Sequence, residues 1–315
     1  MSPLIIAHRG ASGYLPEHTL PAKSLAHAMG ADYIEQDVVA TRDDELIVLH
    51  DILLDRVTDV ATRFPGRQRD DGRYYVRDFD LAELRTLTAW ERMNPDGSAV
   101  YPQRYPAQSG HFRIHTLAEE IELIQSLNAT TSRHAGIYPE IKRPAWHRDQ
   151  GVDIAPLLLT LLTEFGYTSP EDPVFVQCFD DAELRYIRED LGCPLKLVQL
   201  IGESSWQEAD TDYQVLRTGD GLKQIATTAN AIGPWLPHFY SVEQDSGKII
   251  SSGLTQMAHD LGLSIHPFTF RSDDLPAGFT SFDELVLYFA LELGIDGLFT
   301  DFPDTARQII EDSRD

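Results

Sequence analysis

Short apolar runs alternate with amphipathic helical patterns along most of the chain. The apolar runs predict strands at Leu4–His8, Tyr33–Asp37, Gly136–Lys142, Val174–Phe179, Lys196–Ile201, Ala231–Pro234, Ser264–Thr269 and Gly297–Thr300. Helical spacing of apolar positions follows in Leu20–Met29, Leu117–Leu127, Ile154–Phe165, Asp181–Leu191, Gly221–Ala229, Leu254–Leu261, Phe282–Leu293 and Ala306–Glu311. Eight strand–helix units are the element order of an α/β protein whose parallel strands close into a (β/α)8 barrel. The pattern therefore predicts a single barrel domain over residues 1–315.

A ninth extended run, Glu45–His50, follows the second strand too closely for a parallel crossover. We expect it to fold back as a hairpin on the second strand. A four-residue loop would pair Thr41 with Leu46 and place His50 opposite Asp37. Cross-strand partners share a face of the sheet, so these two side chains are expected to be neighbours.

The segment Ile52–His115 lacks clean alternation and is rich in turn-forming residues. Without this 64-residue segment the chain has 251 residues, close to the ~250 typical of the barrel fold. The segment carries ten arginines and nine acidic residues. It is nearly neutral on an acidic chain, so we expect an insertion subdomain that covers the catalytic mouth and sets specificity. A solvated loop with internal ion pairs is the alternative.

The charge balance limits the partners of this chain. It has 26 Lys and Arg against 50 Asp and Glu, a net charge of −24, which repels nucleic acid and anionic lipid headgroups. No apolar run is long enough to span a bilayer. The first ten residues lead directly into a strand without a signal-type core, which indicates a cytoplasmic protein or the processed form of an exported one. An anionic small molecule would need a local positive site.

Candidate chemistry gathers at the predicted carboxyl ends of the strands, where barrel enzymes have their active sites. Glu35 and Asp37 lie two residues apart on one strand face, and Glu140 and Lys142 do so on another. Three converging carboxylates would raise one another's pKa values unless a cation neutralised them. Oxygen ligands suit Ca²⁺ or Mg²⁺ better than zinc. An ion-pair network of these carboxylates with Lys142 and Arg9 is the equal alternative.

Two histidines accompany this carboxylate cluster. His8 ends the first strand and His50 ends the hairpin, and imidazole titrates near neutral pH, as a general acid or base requires. A single histidine at a strand end is more often structural, but two beside one cluster favour catalysis. Arg9 offers a planar fork suited to phosphate, and Lys142 offers a point charge. Together with the metal, these two cations would supply the local positive field that the overall charge lacks.

Six motifs, in this order along the chain, resemble those of the glycerophosphodiester phosphodiesterases: His8–Gly10, Pro16–Thr19, Glu35–Val38, Leu49–Asp51, Pro139–Lys142 and Asp296–Asp304. The resemblance covers essentially the whole chain. It implies a TIM barrel, a divalent cation on Glu35, Asp37 and Glu140, with Ca²⁺ preferred and Mg²⁺ as the alternative, and acid–base work by His8 and His50. It also implies phosphate contacts from Arg9 and Lys142. The insertion and His18, where many members have Asn, resemble the bacterial periplasmic branch most.

We therefore expect hydrolysis of glycerophosphodiesters, such as glycerophosphocholine or glycerophosphoethanolamine, to sn-glycerol 3-phosphate and an alcohol. Glu17, Gln177 and Phe179 are further candidates for substrate contact, and Trp235 and Phe270 for an apolar wall under the glycerol. One alternative is a phosphodiesterase of the lysophospholipase D or sphingomyelinase type. The other is a non-catalytic protein that binds glycerol phosphates. The oligomeric state is left open.

Overall fold

The computed structural model describes residues 2–314, so the ends of the predicted 1–315 domain, Met1 and Asp315, lie outside it. Eleven strands are present in this range: β1 Leu4–Ala7, β2 Tyr33–Ala40, β3 Leu46–Val48, β4 Gly136–Ile141, β5 Phe175–Cys178, β6 Lys196–Ile201, β7 Ala231–Pro234, β8 Tyr240–Val242, β9 Ile249–Ser251, β10 Ser264–Ile265 and β11 Gly297–Thr300. The α-helices are α1 Leu20–Ala28, α2 Val60–Arg63, α3 Leu81–Leu84, α4 Leu117–Thr131, α5 Pro144–Asp149, α6 Ile154–Glu164, α7 Asp181–Arg185, α8 Tyr213–Leu216, α9 Gly219–Ile225, α10 Leu254–His259, α11 Phe282–Leu287 and α12 Pro303–Asp312. Two of them, α7 and α11, continue as π-helical turns at Tyr186–Asp190 and Tyr288–Leu293.

Eight parallel strands form a nearly closed barrel, in the order β10, β7, β6, β5, β4, β2, β1 and β11. A parallel bridge between Phe270 and Thr300 links the segment after β10 to β11 and brings the two ends together. The helices pack on the outside. The predicted (β/α)8 barrel is therefore confirmed, although β10 is much shorter than the predicted strand Ser264–Thr269. Pro267 lies in that segment and cannot donate to a strand ladder.

The hairpin after β2 forms, but its predicted register is wrong by one residue. β3 pairs antiparallel with β2 so that Leu46, which was expected opposite Thr41, lies opposite Ala40. The turn is one residue shorter than expected, because Thr41 N donates to Glu45 O at 3.0 Å and only residues 42–44 lie between them. Asp37 consequently lies beside Leu49, whose backbone N donates to Asp37 O at 2.9 Å. His50 reaches the mouth of the barrel because the chain bends after β3, and not by pairing opposite Asp37.

The apolar core has three parts. Inside the barrel, Tyr138 stacks on Phe175 with ring centroids 5.0 Å apart, and its hydroxyl lies 2.7 Å from His266 Nδ1. A larger cluster fills the space between the barrel strands and the helices. The third cluster belongs to the insertion: Leu54, Val76, Phe79 and other buried residues there pack with side chains from β2 and β3. This cluster anchors the insertion on the hairpin.

Local sequence explains where several of these elements begin. At α4 a capping box is present, because the Thr116 side chain accepts from the Glu119 backbone N and the Glu119 side chain accepts from the Thr116 backbone N. At α1 the Thr19 side chain accepts from Ala22 N, and a proline lies in the first turn. Within residues 2–314, no helix is both long and apolar enough to cross a membrane.

Candidate active site

A cavity of about 310 Å³ opens at the carboxyl ends of the barrel strands. Nine of the ten residues predicted for the site line it: His8, Arg9, Glu35, Asp37, His50, Glu140, Lys142, Gln177 and Phe179. The parallel register explains part of this convergence. Asp37 of β2 lies beside Glu140 of β4, which lies beside Gln177 of β5. Three polar side chains on neighbouring strands are thereby placed in one row at the mouth.

The carboxylates at the floor of the cavity are buried, and their pKa values are shifted in different directions. Burial, followed by the charge of Asp37, raises the pKa of Glu35 well above its usual value. Burial likewise raises the pKa of Glu140, although Lys142 Nζ donates to its Oε1 at 2.7 Å. Burial acts in the same direction on Asp37, but the charges of Lys142 and the histidines more than offset it, and its pKa lies well below the ordinary range.

This floor fits a divalent cation. Asp37 Oδ1 is buried and has no hydrogen-bond partner among the residues described. Ligand atoms of Glu35, Asp37 and His18 lie within 4.8 Å of one another. However, His18 Nε2 lies 2.6 Å from Asp37 Oδ2, and His18 is absent from the cavity lining, which suits a residue that orients Asp37. A cation would lower the pKa of each raised carboxyl and occupy the free oxygen of Asp37. The donor chemistry of this floor therefore suits a divalent cation, and the ligand set of Glu35, Asp37 and Glu140 stays a prediction.

His8 is held by a carboxylate that comes from the opposite end of the chain. Its Nδ1 lies 2.6 Å from Asp301 Oδ1, and Asp301 Oδ2 accepts from Arg104 and from Arg271, each at 2.7 Å. Burial lowers the pKa of His8 to about 4. The imidazole is therefore neutral near pH 7, with Nδ1–H donating to Asp301. This tautomer leaves Nε2 as the proton acceptor.

His50 has the same arrangement on the other side of the cavity. Its Nδ1 lies 2.6 Å from Asp51 Oδ1, and Asp51 Oδ2 accepts from Arg92 Nη1 at 2.6 Å. Its Nε2 is 3.5 Å from Lys142 Nζ. Burial, then the charges of Arg9 and Lys142, lowers the pKa of His50. Two neutral imidazoles, each fixed at Nδ1 by a carboxylate, thus flank the cluster of carboxylates.

Arg9 follows β1 in a left-handed conformation, with φ of 60°. Its backbone N donates to Glu35 Oε2 at 2.6 Å, which ties the arginine to the carboxylate cluster. Gly10 comes next, at φ of 87°, and a Cβ there would lie 2.9 Å from the Ala22 backbone. A glycine is needed at this turn because helix α1 passes so close. The chain can then direct the Arg9 side chain across the mouth.

Glu17 is the predicted site residue that does not line this cavity. It lines a neighbouring recess instead, and its two carboxylate oxygens accept from Arg9 Nη1 at 2.9 Å and from Arg92 Nη2 at 2.5 Å. Both carboxylate oxygens of Glu17 are already paired with guanidinium groups. This geometry therefore does not favour direct contact of Glu17 with the substrate. Glu17 is placed to hold Arg9 in position.

One wall of the cavity is apolar and aromatic. Trp235 lies there, as predicted, together with Trp206, Phe268 and Leu200. Phe270 does not, so its assignment to this wall is wrong: it is fully buried and packs edge-on against Phe289 in the outer layer. The polar wall facing the aromatic residues carries Arg9, Lys142 and the two histidines. The lining of the cavity therefore combines an aromatic part with a cationic one.

Comparison with known proteins identifies this arrangement. Residues 8–305 match the model of the glycerophosphoryl diester phosphodiesterase family. The chain belongs to this family. It is 41% identical to the glycerophosphodiester phosphodiesterase of Haemophilus influenzae over 98% of this chain and 90% of that protein. It is 39% identical to the enzyme of the same name from Treponema pallidum, over 96% and 90%.

Solved structures share the fold. An Oleispira antarctica phosphodiesterase in complex with its product sn-glycerol-3-phosphate aligns with a TM-score of 0.64 and 20% identity, covering 98% of this chain and 97% of that one. The glycerophosphodiester phosphodiesterase of Thermotoga maritima aligns with a TM-score of 0.60 and 17% identity, covering 98% and 99%. The predicted family and TIM-barrel fold are confirmed, and the chain is a glycerophosphodiester phosphodiesterase. The alternative of a non-catalytic binding protein is thereby disfavoured.

Sequence reasoning missed several residues of this phosphodiesterase site. Asp301 lies in the motif Asp296–Asp304, but its contact with His8 becomes apparent only when β11 is placed beside β1. Trp206 and Glu208 follow the end of β6, where the strand-end rule would have pointed to them. Arg92 and Arg104 come from the insertion and reach the carboxylates that hold His50 and His8. No local pattern signals those two contacts.

Proposed function

We propose that this enzyme hydrolyses small glycerophosphodiesters, including glycerophosphocholine and glycerophosphoethanolamine, to sn-glycerol 3-phosphate and the free alcohol, with a divalent cation and two histidines. The observation that supports this proposal best is the pairing of His8 with Asp301 and His50 with Asp51 on either side of a buried carboxylate cluster. Simple binding of a phosphate ester needs cations but no such pair of oriented imidazoles. The product complex of the Oleispira antarctica protein agrees with a small phosphate ester as substrate.

Glu35, Asp37 and Glu140 would hold the cation, Ca²⁺ in the first place and Mg²⁺ as the alternative. Both ions prefer oxygen ligands, and these three carboxylates line the cavity. When bound, the ion supplies Lewis-acid polarisation of the phosphate and a template for the glycerol hydroxyls. His18, through its 2.6 Å contact with Asp37, would fix the orientation of that ligand, as residues that contact metal ligands commonly do.

The two histidines would transfer protons. One neutral imidazole takes the proton of the attacking oxygen at Nε2, and the other delivers a proton to the departing alkoxide. The attacking oxygen belongs to a water or to a hydroxyl of the substrate itself. Burial lowers the pKa of both residues, so the acid partner must gain its proton as the anionic diester binds. A nearby negative charge favours that protonated form.

The remaining contacts would bind the substrate. Arg9 and Lys142 are the cations nearest the histidine pair and would contact the phosphate oxygens, where charge stabilisation contributes most to the rate. Gln177 has a buried Oε1 without a hydrogen-bond partner among residues 2–314, which suits a substrate hydroxyl. Phe179 and the tryptophans of the apolar wall would pack against the glycerol carbons. Glu17 would keep Arg9 in place.

We propose that the insertion, residues 52–115, is a subdomain over the catalytic mouth. Its own apolar cluster gives it a fixed shape. It contributes Arg92 to Glu17 and Asp51, and Arg104 to Asp273 and Asp301. These ion pairs connect it with the immediate neighbours of both histidines, so it takes part in positioning them as well as in covering them.

The experiment that tests this function is turnover of glycerophosphocholine by His8→Ala and His50→Ala, measured as glycerol 3-phosphate released. We expect each to lower kcat by roughly two to four orders of magnitude, the usual contribution of general acid–base catalysis. His259→Ala is the matched control, because His259 is half exposed and pairs with Asp296 away from the cavity. Near-normal turnover in both folded active-site variants would exclude the proposed roles.

A further inference from the structure

A second recess of about 270 Å³ meets the catalytic cavity. The two share His8, Arg9, His50 and Arg271 as lining residues. The histidine pair therefore stands between two spaces rather than at the end of one. A diester has a group on each side of its phosphate, so a phosphate beside the histidines can direct one group into each space.

The two spaces differ in chemistry. The first carries the carboxylate cluster and the aromatic wall, which suit the hydroxyls and carbons of glycerol. The second is lined by four further arginines, Arg56, Arg92, Arg104 and Arg271, against the carboxylates of Glu17, Asp51 and Asp301. With Arg9 included, its lining has an excess of two positive charges, although the chain as a whole is strongly acidic.

Not all of these arginines are available to a ligand. Arg92 donates to Glu17 and Asp51, and Arg104 donates to Asp273, Asp301 and the Ser12 carbonyl.

Arg56 and Arg271 differ from them. Arg56 donates only its Nε, to Met93 O at 2.8 Å, and within residues 2–314 no carboxylate lies in ion-pair distance of it. Arg271 donates only its Nε, to Asp301 at 2.7 Å. Both side chains are half-buried. Each therefore has terminal N–H groups to offer at the recess.

We propose that this recess binds the leaving alcohol and selects alcohols that carry an anionic group, a carboxylate or a second phosphate. Guanidinium N–H pairs match the geometry of either group. Partial burial strengthens the contact relative to one made in bulk water. A quaternary ammonium such as that of choline would meet the same excess of positive charge and bind less well. This inference rests on the proposed function, since it assigns the leaving-alcohol half of the proposed substrate to this recess.

The test uses two pairs of substrates that differ by one anionic group. Glycerophosphoserine differs from glycerophosphoethanolamine by a carboxylate, and glycerophosphoinositol 4-phosphate differs from glycerophosphoinositol by a phosphate. For each pair the ratio of kcat/KM is measured with the wild type and with Arg56→Gln. Dividing the two ratios cancels the intrinsic reactivity of the alcohols. The pair that responds also distinguishes a carboxylate site from a phosphate site.

We expect the wild type to prefer the anionic member of at least one pair, and Arg56→Gln to reduce that preference about tenfold, the usual scale for losing a hydrogen bond to a charged group. Arg63→Gln is the matched control, because Arg63 is exposed on the same insertion and does not line the recess. It should leave the ratio unchanged.

Three results would overturn this inference. Equal kcat/KM within both pairs, with all four substrates hydrolysed, would overturn it and leave the proposed function intact. So would a ratio that falls equally in Arg56→Gln and Arg63→Gln, because a long-range effect of charge would then explain it. If none of the four substrates were hydrolysed, the proposed function would fail together with the inference.

Discussion

At the scale of single residues, the site depends on carboxylates that hold imidazoles. Asp301 and Asp51 each accept from one Nδ1 at 2.6 Å, which fixes the tautomer and the ring orientation of His8 and His50. The sequence predicted both histidines and the three clustered carboxylates, because strand-end position and i, i+2 spacing are local properties. It could not predict that Asp301 holds His8. These residues are 293 positions apart and meet only because β11 pairs with β1.

Asp301→Asn tests this positioning role. The amide keeps the size of the side chain but cannot hold His8 in the same tautomer, so we expect kcat to fall roughly 100-fold or more. The charge of Asp301 raises the pKa of His8, so its loss should also move the acidic limb of the kcat/KM profile to lower pH. Asp273→Asn is the control, since Asp273 contacts Arg104 but not His8. A normal kcat with an unmoved acidic limb would contradict the role.

At the scale of elements, the barrel interior carries a polar pair inside an aromatic layer. The hydroxyl of Tyr138 on β4 forms a hydrogen bond of 2.7 Å with Nδ1 of His266, which follows β10, and burial lowers the pKa of His266 to about 4. Alternation predicted the strands that carry these residues. It could not predict their contact, which spans 128 positions, nor the length of β10. The hairpin register was missed because the turn is one residue shorter than expected, and a change of one residue in the turn shifts every pairing.

His266 gives the barrel a measurable sensitivity to acid. The unfolded chain binds a proton at His266 near pH 6.5, whereas the folded chain does so near pH 4. Stability from the neutral imidazole is therefore complete above pH 6.5 and is lost as the pH falls towards 4. We expect His266→Gln to reduce that acid-induced loss of unfolding free energy by roughly 3 kcal/mol. Urea unfolding of the wild type and variant at pH 7 and pH 4.5 measures it.

Tyr138→Phe is the control for this measurement, because it removes the hydroxyl but leaves His266 buried. It should keep most of the pH dependence. Equal pH dependence in the wild type and His266→Gln would show that His266 has the same pKa in the folded and unfolded chain, and it would contradict the lowered pKa.

At the scale of the whole molecule, the insertion and the barrel form one active site. The cluster inside the insertion includes Val39, Ile47 and Leu49 from the β2–β3 hairpin. Deleting residues 52–115 would expose these side chains and remove Arg92 and Arg104 from both histidine–carboxylate pairs. Composition predicted an insertion subdomain at this place. It could not show that two of its arginines complete the site.

Arg104→Gln tests the connection between the insertion and the His8–Asp301 pair with a smaller change than deleting residues 52–115. Arg104 has an almost fully buried side chain and donates to Asp273 and Asp301, so its loss removes charge-assisted hydrogen bonds, one of them to the buried Asp301. We expect the free energy of unfolding to fall by roughly 1–3 kcal/mol, together with a lower kcat. Arg63→Gln, exposed on the same insertion, should change neither. Wild-type stability and turnover in Arg104→Gln would mean that the barrel positions His8 without help from the insertion.

The central claim is that a divalent cation on Glu35, Asp37 and Glu140 works with the two histidines in one site. The most direct measurement is the rate of glycerol 3-phosphate release from glycerophosphocholine after exhaustive chelation and dialysis, and again after Ca²⁺ or Mg²⁺ is returned. We predict that chelation abolishes release and that the returned cation restores it, because the proposed site would otherwise lack the Lewis acid that polarises the phosphate. Full activity in the chelated, dialysed enzyme would contradict the account.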